Sequence, residues 1–163
     1  MVIRPFRQGD EGALRQVFFS AVHEIASKDY TVEQIAAWAP APRQADEAPW
    51  AERMGRIRPF VAERDGSILG YADVQANGYI DHFFVAGSAA RTGVGSALMA
   101  RIHEAASAQG TASLFAEVSI TARPFFEKWG FAVEARQTVT LRGVPLTNFR
   151  MRKTLEATPP SRA

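Results

Sequence analysis

The chain has 163 residues, a length that fits one domain with a core large enough to fold without covalent cross-links. With 47% hydrophobic and 22% charged residues it has the composition of a soluble globular protein, which excludes a disordered or collagen-like chain. The absence of cysteine excludes disulfides, thiolate metal sites and a cysteine nucleophile. The net charge is only +2 and the arginines are scattered along the chain, so we expect no nucleic-acid partner.

Targeting and membrane signals are also missing from the sequence. No apolar run reaches the roughly 18 residues that cross a bilayer, so we expect no membrane partner. The first residues, MVIRPFRQGD, lack the apolar stretch of a signal peptide. We therefore expect a cytoplasmic protein with a single domain over residues 1–156 and a flexible tail over 157–163.

The chain opens with a strand-like segment and a long amphipathic segment. Residues 2–6 predict a short strand, and Pro5 favours a strand end. Asp10 is a candidate N-cap for a helix that runs to about Ala26, because the apolar residues that follow have helical spacing.

Two shorter helices are predicted next. Thr31 and Gln34 have the spacing of a capping box, which predicts a helix from Thr31 to about Trp38. A third helix is predicted from Trp50 to Arg56.

The pattern then changes to strands. Residues 59–63 and 68–75 flank an Asp-Gly turn, and an Asn-Gly turn precedes a strand over 79–85. These three segments predict an antiparallel meander.

A long helix over about 94–109, ended by Gly110, follows the meander. The remaining predicted elements are a strand over 113–118, a helix over 121–129, and strands over 131–141 and 146–155. This order predicts an α/β fold with a mixed, mostly antiparallel sheet of about seven strands flanked by about four to five helices. The strands on either side of the long helix should be parallel, in a right-handed crossover.

The loop that opens the long helix carries the clearest chemical signal. Glycines at two positions let backbone N–H groups approach a ligand at a helix N-terminus, where the helix dipole favours an anion. An arginine adds a charged hydrogen-bond donor. The loop therefore predicts a phosphate or pyrophosphate site made of Arg91, Thr92, Gly93, Val94, Gly95 and Ser96.

Three ligand classes compete for this loop. A P-loop requires a lysine before its hydroxyl residue, but here Ser96 directly follows Gly95. A dinucleotide fold requires a third glycine where this chain has Leu98, and a parallel sheet; Glu117 lies at about the distance of its acidic residue. The third class is the pyrophosphate loop of an acyl-CoA-dependent N-acetyltransferase. A glycine-rich helix start without a ligand is the remaining alternative.

Several segments over about 2–155 resemble the GNAT superfamily of N-acetyltransferases. They are IRPFRQGD, FFVAGSAARTGVGSALM and ARPFFEKWGF. The combination of DYTVEQIAAWA, YIDHFFV, SITARPFFEKWGF and TNFRMR is similar to the YafP-like branch of small bacterial acetyltransferases. The resemblance implies acetyl transfer from acetyl-CoA, the co-substrate, to a primary amine of a small molecule or peptide. It implies direct attack, no metal cofactor and, as in many relatives, the option of a homodimer.

The resemblance also implies where coenzyme A binds. Gly93 and Gly95 match the family's loop pattern, but its leading Gln or Arg position is Ala90 here, and Arg91 stands one place later. In the family, exposed backbone on the preceding strand binds the pantetheine arm. By analogy, those backbone groups belong to Phe83, Phe84 and Val85.

The same resemblance suggests a catalytic base. Family members place it on the strand face that Tyr79 and Asp81 would share, whereas strand alternation puts His82 on the other face. We expect Asp81 to act as the base with Tyr79 beside it. The alternative is that Asp81 pairs with an arginine or holds the substrate amine without taking its proton.

Two departures from the family leave the general acid unassigned. Phe126 stands where many members have a tyrosine, and Ser119 replaces an asparagine often found near the pantetheine. The missing tyrosine motivates a second hypothesis, an acyl-CoA-binding sensor or protein-interaction module with little or no turnover. Candidate acceptor-binding residues are His23, Tyr30, Trp38 and Asn148.

Overall fold

The computed structural model describes residues 1–156, so the tail predicted over 157–163 lies outside the described residues. Within them, eight strands form two four-stranded sheets, accompanied by five α-helices. The strands are β1 (Val2–Pro5), β2 (Phe60–Arg64), β3 (Ser67–Ala72), β4 (Tyr79–Ile80), β5 (Phe83–Val85), β6 (Ser113–Ser119), β7 (Ala132–Leu141) and β8 (Val144–Thr154). The helices are α1 (Glu11–Ser20), α2 (Val32–Trp38), α3 (Glu47–Ile57), α4 (Val94–Ala108) and α5 (Arg123–Lys128).

The sheets have the orders β1-β2-β3-β5 and β4-β6-β8-β7. Every pair is antiparallel except β4 with β6, which are parallel and joined through α4. This confirms the α/β class, the mostly antiparallel strands and the parallel pairing predicted across the long helix. Strand β7 forms the outer edge of the second sheet, and its pairing with β8 shifts register between Val133 and Ala135.

The strand predicted over 79–85 is in fact two strands, and the predicted continuous meander is wrong at this point. Tyr79 and Ile80 pair with β6 in one sheet, whereas Phe83 to Val85 pair with β3 in the other. The chain crosses between the sheets at Asp81 and His82. The two sheets therefore separate between β5 and β6, which leaves a wedge-shaped space.

The first helix begins as predicted, but Asp10 does not cap it. No side-chain capping bond is made, because the Asp10 carboxylate is taken up by the buried Arg4 guanidinium through two bonds of 2.8 and 2.9 Å. The Arg7 N–H also donates to it. Beyond Ser20 the helix widens into a π-helical turn, Ala21–Ile25, and then a 3₁₀ turn, Ala26–Lys28.

The predicted capping box of α2 is confirmed. The Thr31 hydroxyl accepts from the Gln34 N–H (3.1 Å), and the Gln34 side chain accepts from the Thr31 N–H (2.9 Å). These bonds satisfy donors that have no partner within the helix.

The hydrophobic core positions α4 closely against β3. A Cβ on Gly70 would lie 3.0 Å from the Phe84 carbonyl oxygen and 3.0 Å from Val94 Cγ1, so the close packing at this point depends on glycine. Val94, Leu98 and Met99 are fully buried. The N-terminus of α4 is thereby fixed next to β5. Among residues 1–156, no helix has both the length and the apolar character to cross a membrane.

Candidate functional site

A groove of about 550 Å³, here called the loop groove, occupies the wedge between β5 and β6 and extends to the start of α4. One wall is β5, the edge strand of its sheet. His82 and Ala86 hydrogen-bond toward β3, and bonding alternates along an antiparallel strand, so the backbone groups of Phe83 and Val85 point into the groove. Those of Phe84 are directed at β3.

The glycine loop closes one end of this groove. Gly93 adopts φ +89°, a left-handed conformation that favours glycine, and ends the turn from which α4 starts. Thr92 stabilises that turn, because its hydroxyl donates to the Ala89 carbonyl (2.6 Å). Its side chain does not line the groove. Arg91, Gly95 and Ser96 do line it. The side chain of Val94 is buried in the core, which leaves only its backbone N–H for a ligand.

A second cavity of about 530 Å³, here called the aromatic cleft, lies on the other side of the β4–β5 crossing. Its walls carry aromatic rings and charged groups from α1, α2, α3, the β4–β5 segment, β6 and the β7–β8 hairpin, as well as from the segments next to α2 and α3. The rings are those of Phe18, Phe19, Tyr30, Trp38, Trp50, Tyr79, His82 and Phe84. The charged groups are Arg15, Asp46, Arg53, Asp81, Glu117 and Arg142.

The loop groove and the aromatic cleft meet. Five residues line both: Trp38, Asp81, Phe84, Glu117 and Ser119. A ligand in the groove and a second ligand in the cleft can therefore approach each other at this junction.

Two carboxylates lie at the junction. Asp81 forms an ion pair with Arg53 at 3.3 Å, which is the arginine-paired alternative considered from the sequence. Glu117 is exposed, and its side chain has no hydrogen bond or ion pair to the described residues. Because Ile80 pairs in parallel register with Ala116, the residues that follow, Asp81 and Glu117, emerge side by side.

The fully buried Asp73 fixes the crossing between the sheets. Its carboxylate accepts hydrogen bonds from the N–H groups of Asp81 (3.0 Å) and His82 (2.6 Å), and from the Gln75 amide (2.6 Å). Burial raises the pKa of Asp73 to about 6, although these bonds favour the charged form. The Asp73 carboxylate thus provides, for the two N–H groups at the crossing, the hydrogen-bond acceptors that a neighbouring strand would otherwise supply.

His82 lines the same cleft as Tyr79 and Asp81, so the prediction from alternation that it faces away is wrong. Alternation holds only within a continuous strand, and the chain breaks at this residue. The His82 ring is 4% exposed, and its Nδ1 lies 3.0 Å from the Tyr71 hydroxyl. Burial, followed by the nearby Arg53 charge, lowers the pKa of His82 to about 4. His82 is therefore neutral near pH 7.

Tyr79 packs against Phe115 with the two rings tilted by 32° and their centroids 5.2 Å apart. Burial, and then the charges of Asp81 and Glu117, raise the pKa of the Tyr79 phenol. Tyr79 therefore stays protonated near neutral pH and lies near both carboxylates.

The candidate acceptor residues separate into two groups. Tyr30, Trp38 and Asn148 line the aromatic cleft, whereas His23 lines neither cavity. His23 Nε2–H donates to the Ala39 carbonyl (2.7 Å), and its ring stacks on Phe19. Tyr30 is held by a bond to the Thr147 carbonyl (2.6 Å), and burial raises its pKa.

Phe126 and Ser119 both line the loop groove. Phe126 is 3% exposed and packs edge-to-face on Phe83 and Phe131. The Ser119 hydroxyl accepts from the Ala122 N–H (3.0 Å) and keeps its own proton for another acceptor.

Arg53, Asp73 and the place of Glu117 at the junction were not predicted. Asp73 had a signal, because it is an acidic residue within the apolar run ILGYADVQ. The place of Glu117 could also have been predicted, since parallel pairing of the two strands puts it beside Asp81. The contact of Arg53 with Asp81 depends on how α3 packs and has no local signal.

Comparison with known proteins supports one family. The family model of the acetyltransferase (GNAT) domain matches residues 26–154. The chain is 37% identical over 150 residues to the uncharacterized N-acetyltransferase YafP of Escherichia coli (strain K12), covering 92% of this chain and 93% of that protein.

Solved structures give the same result for the fold. A GCN5-related N-acetyltransferase from Rhodopseudomonas palustris matches with a TM-score of 0.88 and 30% identity, over 94% of this chain and 95% of that one. A phosphinothricin acetyltransferase from Sinorhizobium meliloti, solved in complex with acetyl-CoA, matches with a TM-score of 0.72 and 18% identity, over 98% and 94% of the two chains.

Proposed function

The chain belongs to the GNAT acetyltransferase family, and from this premise we propose that it transfers an acetyl group from acetyl-CoA to a primary amine of a small molecule or peptide. The amine attacks the thioester directly, in a ternary complex. The observation that carries this proposal is the meeting of the loop groove and the aromatic cleft at two carboxylates. One cavity suits the carrier, the other suits the acceptor, and the reacting atoms would meet between them.

The loop groove fits coenzyme A by its chemistry. Backbone N–H groups at the start of the 15-residue helix α4 and the guanidinium of Arg91 would bind the pyrophosphate. The free backbone groups of Phe83 and Val85 would bind the amide-containing pantetheine arm as an added strand. The apolar rings of Phe125 and Phe126 line the same groove and would pack against the carrier.

The acceptor amine must lose a proton as it attacks the carbonyl carbon. We assign this role to the junction carboxylates, with Asp81 oriented by Arg53 and Glu117 free to contact the amine. The nitrogen forms the new amide bond, the carboxylate takes the proton, and the carbon–sulfur bond breaks. Neutral His82 lines the cleft as a largely buried ring and contributes packing.

The leaving sulfur departs as a thiolate, which accepts a proton or a hydrogen bond. Phe126 offers neither, and the Thr121 hydroxyl already donates to Asp29 (2.7 Å). Ser119 lines both cavities and has a free hydroxyl proton, so it is our candidate donor. A thiol with a pKa near ~8.5 also leaves tolerably without full protonation.

Calorimetry and a thiol-release assay test the proposal together. The purified protein should bind CoA and acetyl-CoA, and it should release CoA in the presence of at least one amine of a panel. Asp81→Asn or Glu117→Gln should lower kcat by about 10²-fold or more while CoA affinity is retained. Glu104→Gln is a matched control, because its side chain is 73% exposed on α4 and lies outside both cavities.

The second hypothesis, an acyl-CoA-binding sensor, rests on the buried Phe126 at the position where many relatives have tyrosine. It is favoured if CoA binds but no amine accelerates thiol release, and if Asp81→Asn changes nothing. A complete lack of CoA binding by the folded protein would overturn both hypotheses.

A further inference from the structure

Two aromatic side chains, Trp38 and Phe84, form the partition between the loop groove and the aromatic cleft. Both line both cavities, and their ring centroids are 6.4 Å apart. We call this pair the aromatic wall. It stands where the thioester must meet the amine if the proposed function is correct.

The aromatic wall is held rigidly from the cleft side. Tyr30 packs edge-on against Trp38 at 5.5 Å, and the Tyr30 hydroxyl is fixed by the Thr147 carbonyl and the Ile120 N–H. Phe84 packs edge-on against Phe18 at 4.9 Å.

The helix that ends at Trp38 is itself immobilised. The capping box fixes its start, and the Gln34 side-chain amide donates to the Pro145 carbonyl of the β7–β8 hairpin (3.0 Å). The indole therefore has little freedom to move aside for a bulky group.

The groove side of the wall is formed by the widened turn of the first helix. The side chains that this turn and the adjoining Ala26 present to the groove are small or aliphatic, and two of them, Val22 and Ala26, belong to the hydrophobic cluster against which Trp38 packs. The members that line the groove are Ala21, Val22, Ile25 and Ala26. Val22 is fully buried and Ala26 is 5% exposed, so an acyl chain has no room between these side chains, and the space beyond the wall is the aromatic cleft, which the amine would occupy.

We propose that Trp38 is a specificity-determining residue that restricts the acyl group carried by coenzyme A to a short chain such as acetyl. This inference rests on the proposed function, since it takes the loop groove to bind acyl-CoA. An acetyl group fits between the wall and the small side chains of the turn. Each further methylene of a longer acyl group would either clash with the Trp38 indole or Phe84, or block the path by which the amine approaches.

Calorimetry with free CoA, acetyl-CoA, butyryl-CoA and hexanoyl-CoA tests the inference without any knowledge of the acceptor. The wild-type protein should bind hexanoyl-CoA at least about tenfold more weakly than acetyl-CoA, because added methylenes that do not fit a pocket carry penalties of that size. Trp38→Leu removes part of the wall and should recover about tenfold in hexanoyl-CoA affinity, with free CoA affinity unchanged.

Trp129→Leu is the matched control. The Trp129 indole packs against His103 at 5.2 Å and lies outside both cavities. The variant should therefore have the same preference for acyl-chain length as the wild type. Trp38→Phe should also gain affinity for hexanoyl-CoA, but less than Trp38→Leu. It replaces Trp38→Leu in the test if that variant does not fold.

The possible failures are distinguishable. Equal affinity of the wild type for all acyl lengths, or an unchanged preference in both Trp38 variants, would overturn the role of Trp38 and leave the proposed function intact. Failure of the folded wild type to bind any form of CoA would overturn the proposed function and this inference with it.

Discussion

Asp73 and His82 are joined by a reciprocal pair of hydrogen bonds, one to a side chain and one between backbone groups, at the crossing between the two sheets. The His82 N–H donates to the Asp73 carboxylate at 2.6 Å, and the Asp73 N–H donates to the His82 carbonyl at 3.1 Å. Both side chains are buried, and burial shifts the pKa of each toward its neutral form. Their effects on stability therefore have opposite dependence on pH over nearly the same range.

For Asp73 the native pKa of about 6 lies above the ordinary value of 3.8, so the native state holds the proton more tightly. Stability from this group is greatest at low pH and is lost as pH rises from about 4 to 6. Asp73→Asn keeps an oxygen acceptor but cannot titrate. The unfolding free energy of the variant minus that of the wild type should rise by roughly 3 kcal/mol between pH 4 and 7. Urea unfolding at both pH values measures this, and a constant difference would contradict it.

For His82 the native pKa of about 4 lies below the ordinary value of 6.5, so the unfolded state binds the proton more readily. Stability from this group is fully present above pH 6.5 and is lost as pH falls toward 4. For His82→Asn, the unfolding free energy minus that of the wild type should fall by roughly 3 kcal/mol from pH 4 to 7. Equal slopes for the two variants would show that the two pKa values are not shifted in opposite directions as described.

Gly93 offers a test of the loop that opens α4. Its φ of +89° strains any L-residue, although no atom lies within 4 Å of the position that a Cβ would occupy. Gly93→Ala should cost about 1–2 kcal/mol of stability and should weaken CoA binding by redirecting the loop N–H groups. Gly12→Ala in α1, which has an ordinary φ and open space, should not lower stability. Thermal unfolding and calorimetry of both variants provide the comparison.

The Arg4–Asp10 pair is expected to be important for stability. Arg4 is 9% exposed and binds Asp10 through two nitrogens and Glu63 through a third. Asp10→Ala should destabilise by about 3 kcal/mol, because it leaves a buried guanidinium short of partners. Glu127→Ala breaks an exposed pair with Arg123 and should cost less than about 1 kcal/mol. Similar losses in denaturant unfolding would argue against the importance of the buried pair.

The sequence correctly predicted those structural features that depend on residues close together in the chain. The capping box at Thr31 and the start of α4 directly after Gly93 were both confirmed. In each case the residues that make the signal also make the contact, or lie within one turn of it.

The errors arise where distant residues compete with a local pattern. Asp10 has the position of an N-cap, but the buried Arg4 binds its carboxylate more strongly. The segment from Tyr79 to Val85 looks like one strand, but the Asp73 carboxylate binds the N–H groups of its two middle residues and divides it. The ion pair of Arg53 with Asp81 requires the packing of α3, which spacing in the sequence does not encode.

The register shift in β7 has a consequence for the behaviour of the protein at high concentration. An outer strand of ten residues presents unpaired N–H and C=O groups on which strands of other molecules could assemble. The irregularity between Val133 and Ala135, together with the charges of Glu134 and Arg136, makes this edge a poor template for such growth. The longest free edge of the second sheet is thus protected from aggregation by its own sequence.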